Sequence, residues 1–283
     1  MTGFFKSRTF LFIWGIPVVV ATIWFGGWYF VAGISVLSVV ASLETMKVLA
    51  AGKATWGEKL LVGGLCAVLP FAIALHGLIA LLWLYIAGLL GAGSLALLRK
   101  PEDGFRFLIA ATFTMFYIGL PFTSALLLRL DPIWQTHFQG AAIIVYIWAG
   151  VWVTDTFAYL GGRRFGKRPL APQLSPKKTL EGTASGILMA LVWTILAGFA
   201  LTDVLSWWDR ILLGAIIGML SVIGDLVESM LKRVAHVKDS GTILHGHGGV
   251  LDRFDSLLFV QPAVYLYLIA ADVLNSPSVP LLG

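Results

Sequence analysis

Asp252 and Asp255 stand three residues apart in the stretch His247-Gly248-Gly249-Val250-Leu251-Asp252-Arg253-Phe254-Asp255-Ser256. At the start of a helix that spacing puts two carboxylates on one face, where they can converge on one metal ion. Hard cations such as Mg²⁺ bind carboxylate and phosphate oxygens together. Groups of the kind that meet phosphate lie just upstream: Lys232, Arg233 and Lys238, with Asp239 beside the last. Asp225 and Ser229 are four apart and share a helix face in the same way. Gly248 and Gly249 would let backbone N–H groups approach phosphate oxygens, with His247 in the same loop as a further donor. No Cys/His zinc spacing is present.

A second motif reads Ser175-Pro176-Lys177-Lys178-Thr179-Leu180-Glu181-Gly182-Thr183. Pro176 is expected to fix a turn ahead of the two lysines, and Glu181 to lie near a helix start. The same residues also fit an ordinary basic loop at a membrane face. Asp155 lies within an apolar run, Val151 to Leu160, so it must face protein or a water-filled cavity.

The elements that must position these groups are membrane helices. Of 283 residues 58% are hydrophobic and 12% charged, against about 25% charged in a soluble domain. The pattern is all-α and polytopic, with about nine spans near 9–25, 27–43, 60–75, 78–98, 107–128, 140–160, 184–202, 211–227 and 256–274. The first, third and eighth are short for a full span. The thinnest breaks are Gly26-Gly27 and His76-Gly77. Eighteen of the twenty Lys and Arg residues fall on one side of this map, leaving Arg129 and Arg210 on the other. That alternation predicts a cytoplasmic N-terminus and an external C-terminus. Trp24, Trp28, Tyr29, Trp134, Trp207 and Trp208 read as interfacial anchors, and His76 and His137 as residues of the outer face. Gly214 and Gly218 form a GxxxG pair suited to close helix packing. Cys66 reads as a small buried hydrophobe.

The chain divides into N-terminal helices, residues 1–150, for scaffold and lipid access, and a catalytic region, 151–283. The cytoplasmic segments of that region, 161–183 and 228–255, hold ten of the twenty basic residues. An apolar protein that gathers both signs of charge at one face suits a metal–phosphate ligand.

Ser229-Met230-Leu231-Lys232-Arg233, Lys238-Asp239, His247-Gly248-Gly249 and Asp252-Arg253-Phe254-Asp255 together resemble the signature of the phosphatidate cytidylyltransferases, or CDP-diacylglycerol synthases. Asp155-Thr156-Phe157-Ala158-Tyr159, Phe165-Gly166 and Ser175 through Gly182 are similar to that family too, whereas the first 150 residues match only as a helix series with Glu44 after the second span. The chain departs from the family at His245, usually Pro, and at His236, commonly Gly.

The resemblance implies a Mg²⁺-dependent transfer of CMP from CTP to phosphatidic acid, giving CDP-diacylglycerol and pyrophosphate. It implies a metal site of Asp225, Asp252 and Asp255, with Asp239 in reserve and room for a second cation such as K⁺. Lys232, Arg233 and Lys238 would bind phosphates, as would Arg253 unless it pairs with an acid. Ser175, Lys177, Lys178, Thr179 and Glu181 would close over the substrate, with Ser229, His247, Gly248 and Gly249 beside it. The expected setting is a bilayer, a bacterial inner membrane with the active site facing the cytoplasm, since no organelle-targeting segment precedes the first predicted helix; the family is often dimeric. No nucleic-acid partner is expected. A CTP-dependent lipid-alcohol kinase and a membrane transporter are the rival readings. A transporter predicts internal repeats and midplane charges, and neither is visible. The Asp-rich motif of CDP-alcohol phosphotransferases is missing.

Overall fold

The computed structural model describes residues 16–50, 53–134, 136–201, 204–237, 240–241, 248–271 and 273. Helices α1 (Ile16–Phe25) and α2 (Gly27–Leu49) part at Gly26, whose φ of 61° with ψ of −149° is a conformation essentially confined to glycine. Then come α3 (Trp56–His76), α4 (Ile79–Leu97), α5 (Pro101–Leu130), α6 (His137–Phe165), α7 (Leu180–Leu201) and α8 (Trp207–Val234). A single turn, α9 (Leu251–Phe254), precedes α10 (Leu257–Ala270). Both thin breaks expected from the sequence are real, the second at Gly77 with φ 67°.

Among the described residues seven helices, α2 to α8, are long and apolar enough to cross a membrane. The chain is an all-α, multi-pass membrane protein, with one hairpin among the described residues. Of the spans expected to be short, the third and eighth are not: α3 and α8 have 21 and 28 residues, whereas α10 has only 14. α3 begins early because Thr55 and Glu58 form a capping box, with the Thr55 N–H donating to Glu58 Oε2 at 2.7 Å. α8 runs on through its charged residues because they share one face.

The helix ends correct the loop boundaries. α6 continues to Phe165, α7 starts at Leu180 and α8 reaches Val234, so the predicted segments 161–183 and 228–255 are partly helical. The first segment also holds an antiparallel hairpin, β1 (Pro169–Ala171) and β2 (Ser175–Thr179), in which Pro169 pairs with Thr179 and Ala171 with Ser175. Pro176 therefore lies within a strand, and the turn is at 172–174. A two-stranded hairpin tolerates this because both strands are edges, where a missing donor N–H can face outward.

α8 ends in a Schellman motif. The Val237 N–H donates to Lys232 O at 3.0 Å and the His236 N–H to Arg233 O at 3.1 Å. That geometry needs a left-handed residue after the cap, and His236 supplies it with φ 55°.

α5 is the hub and is mostly buried, while α4 is mostly exposed and lies at the rim. Ile118, Phe122, Leu126, Ile143, Ile147 and Val260 form part of the core between α5, α6 and α10. Leu82, Trp83, Leu89 and Leu90 of α4 are exposed and suit lipid. Gly214 and Gly218 pack within the chain: a Cβ on either would stand 2.9 Å from the Cα of Leu191 or Ile187 of α7. Trp24, Trp28, Tyr29, Trp207 and Trp208 are exposed. Trp134 turns inward and donates its indole N–H to Leu128 O at 2.7 Å. Cys66 is free and buried.

Candidate active site

Two helix faces make the site. On α6, Asp155, Tyr159, Gly162 and Arg163 follow one another by about a turn, and on α8 so do Val222, Asp225, Glu228 and Lys232. β2 contributes Lys177, Lys178 and Thr179, α7 contributes Thr183, α9 contributes Asp252 and Arg253, and Asp255 follows directly after α9. Together with Trp152 and Ala158 they line a cavity of about 600 Å³.

Lys178 and Lys232 each meet a carboxylate. Lys178 Nζ donates to Asp225 Oδ2, whose other oxygen accepts from Ser229 Oγ at 3.4 Å. Lys232 Nζ pairs with Glu228 Oε2 one turn back and with Asp252 Oδ1 at 2.8 Å. The second oxygen of Asp252 accepts from Gly249 N–H at 2.7 Å, Ser240 Oγ at 2.8 Å and Ser240 N–H at 3.0 Å. Burial works to raise the Asp252 carboxyl, but its interactions with Glu228, Gly249, Lys232 and Ser240 outweigh burial and hold it well below the usual carboxylate range. Asp255 goes the other way. Burial, then the negative charge of Asp225, pushes its carboxyl up to about 7.

Three carboxylates are placed for a cation. Asp225, Glu228 and Asp255 each offer an oxygen, and the three lie within 4.8 Å of one another. Glu228 Oε1 is buried with no hydrogen-bond partner among the described residues. Such a group is costly unless something satisfies it, and a divalent cation beside Asp225 and Asp255 would do so. The donor set, all carboxylate oxygen, fits Mg²⁺.

A model of the cytidylyltransferase family matches residues 6–271. The chain belongs to the cytidylyltransferase family. A phosphatidate cytidylyltransferase of Staphylococcus haemolyticus is 40% identical over 170 residues, 59% of this chain and 62% of the relative. One from Staphylococcus epidermidis is 36% identical over 197 residues, 70% of each chain. One from Bacillus subtilis is 42% identical over 158 residues, 56% of each. The matched stretch thus covers less than two thirds of the Staphylococcus haemolyticus and Bacillus subtilis relatives.

In this cytidylyltransferase-family chain the cavity gathers Asp225, Lys232, Asp252, Arg253, Asp255, Lys177, Lys178 and Thr179 from the expected set. Other expected residues stand outside its lining. Arg233 Nε donates to Leu174 O at 3.3 Å and tethers the hairpin turn to α8. Glu181 Oε2 accepts from the Lys167 and Arg168 N–H groups at 3.0 and 3.2 Å, fixing the entry to β1. Ser175 begins β2. Gly248 and Gly249 back onto protein, since a Cβ on Gly248 would meet Asp252 Oδ2 at 2.5 Å and one on Gly249 would meet Glu44 Oε2 at 2.4 Å. The Gly249 N–H is already used by Asp252. Lys238, Asp239, His245 and His247 lie outside the described residues.

Arg163, Tyr159 and Thr183 line the cavity and were not among the expected site residues. Arg163 is eight residues beyond Asp155, so extending the α6 face past the apolar run would have found it. Glu228 was visible as an acid among helix residues but not as a member of the trio. Its spacing of three from Asp225 is the signal that points to it.

Proposed function

We propose that this chain is a phosphatidate cytidylyltransferase, moving the cytidylyl group of CTP to phosphatidic acid in a bacterial inner membrane with the cavity facing the cytoplasm. The observation that carries the reading is one cavity, set among apolar helices, that pairs a carboxylate trio with Lys177, Lys178, Lys232, Arg163 and Arg253. Such a surface matches a metal-bound triphosphate and a phosphomonoester lipid better than either alone.

In the reaction a phosphate oxygen of phosphatidic acid forms a bond to the α-phosphorus of CTP. The bond from that phosphorus to the β-phosphate oxygen breaks, and pyrophosphate leaves with the electron pair. The nucleophile is already anionic, so alignment and charge neutralisation dominate over general-base work. Mg²⁺ held by Asp225, Glu228 and Asp255 would offset phosphate charge as a Lewis acid. Lys178 and Lys232, now paired with Asp225 and with Glu228 and Asp252, can donate to phosphate oxygens when substrate enters. Arg163 and Arg253 extend the basic wall. Asp252 keeps Lys232 aimed into the cavity.

The test is incubation of the detergent-purified protein with phosphatidic acid, α-labelled CTP and Mg²⁺. Label in a lipid product together with released pyrophosphate is the expected result. Release of CDP with a newly phosphorylated lipid alcohol would replace this reading by the kinase. No turnover by folded protein with either lipid would remove both.

A further inference from the structure

Glu44 belongs to α2, in the half of the chain that contributes nothing to the cavity lining, and it is 4% exposed. Its carboxylate reaches across 207 residues of sequence to the loop that carries Asp252. Oε2 accepts the Leu251 N–H at 2.9 Å, and Oε1 is buried with no hydrogen-bond partner among the described residues. The loop is shaped around it. A Cβ on Gly241 would stand 2.0 Å from Glu44 Oε1, and its three nearest atoms would all belong to Glu44. Gly241 has no positive φ, so its lack of a side chain answers to this contact rather than to its backbone conformation.

The chain of contacts continues into the site. Gly249 to Leu251 is held from behind by Glu44, while the Gly249 N–H and Ser240 hold Asp252 Oδ2 from in front. Asp252 Oδ1 then pairs with Lys232, which pairs with Glu228 of the carboxylate trio. A buried carboxylate oxygen bonded to a buried backbone N–H is a stiff support, because separating the two leaves both unsatisfied.

We infer that Glu44 is a positioning residue, clamping the 249–251 backbone from α2 so that Asp252 presents Lys232 and Glu228 to the cavity. Its activity readout rests on the cytidylyl-transfer reading; its structural readout does not.

The test compares full-length parent with Glu44→Ala, Glu44→Gln, Gly241→Ala and the Glu44→Ala/Gly241→Ala double variant. Amide hydrogen exchange over residues 248–256 reads the clamp with no substrate. It is expected to quicken in Glu44→Ala and to stay near parental in Glu44→Gln, whose amide oxygen still accepts a backbone N–H. Turnover in Glu44→Ala is expected to fall roughly tenfold to a hundredfold in kcat with a smaller change in the KM for CTP, and Glu44→Gln to recover most of it. Gly241→Ala alone should be impaired, yet add nothing in the Glu44→Ala background, where the colliding carboxylate is gone. Unchanged exchange in Glu44→Ala, losses that multiply in the double variant, or a Glu44→Gln as impaired as Glu44→Ala would each overturn the clamp. A parent chain with no turnover would defeat the functional reading and leave the exchange experiment to decide this one.

Discussion

Lys232 stands between two carboxylates, Glu228 one turn back on α8 and Asp252 on the α9 turn. The two acids answer to different demands. Glu228 keeps one oxygen buried and without a hydrogen bond among the described residues, in reach of Asp225 and Asp255. Asp252 has both oxygens engaged by Lys232, Ser240 and Gly249. Glu228→Gln should therefore act on the cation and Asp252→Asn on lysine placement. Glu228→Gln is expected to raise the Mg²⁺ concentration for half-maximal turnover by roughly tenfold to a hundredfold, the range seen when groups around a metal are altered. Asp252→Asn is expected to lower kcat by roughly a hundredfold, as for loss of a preorganised electrostatic group, with a much smaller change in Mg²⁺ dependence. Mg²⁺ titrations of the two variants check this. The reverse pattern would place Asp252 in the metal site that the family resemblance implies for it. Residue types made the acid set readable from sequence, but spacing alone does not say which member of the set spends its oxygens on backbone N–H groups.

α8 shows what an element adds. Charges in a membrane sequence look like loop, so a hydropathy reading ends this helix near 227, while the structure carries it to Val234. Asp225, Glu228 and Lys232 recur at helical spacing and face one cavity, where their partners offset the cost of charge near the bilayer. The hairpin β1–β2 was not legible, because three- and five-residue strands give too little alternation to detect. The end of α8 carries a testable strain. His236 adopts the left-handed conformation of the Schellman motif with φ 55°, a region costing a side-chain-bearing residue about 1–2 kcal/mol. Part of that gain is returned because glycine has more freedom when unfolded. His236→Gly is expected to stabilise by roughly 1 kcal/mol net, read as a rise of roughly 2–4 °C in the thermal melt in detergent. A lower melting temperature would mean that the imidazole makes a contact worth more than the strain.

The whole molecule is arranged by the distribution of charge. Its apolar helices could be read from sequence because lipid tolerates continuous hydrophobic runs, and the breaks at Gly26 and Gly77 because two glycines sit where the chain must turn. How the halves join could not be read, since the bond from Glu44 to Leu251 has no local pattern. Orientation rests on the eighteen basic residues assigned to one side, and this is open to direct measurement. Cys66 is 2% exposed and its thiol is shielded from reagents, so a new surface cysteine can be labelled against a quiet background. His76 ends α3 on the predicted outer face, and Lys167 precedes the hairpin on the predicted cytoplasmic face; both are exposed and neither lines the cavity. With a membrane-impermeant maleimide on intact spheroplasts, His76→Cys is expected to react and Lys167→Cys to react only after permeabilisation. The opposite order would invert the molecule and put the cavity on the side where no CTP is supplied, which the cytidylyl-transfer reading could not survive.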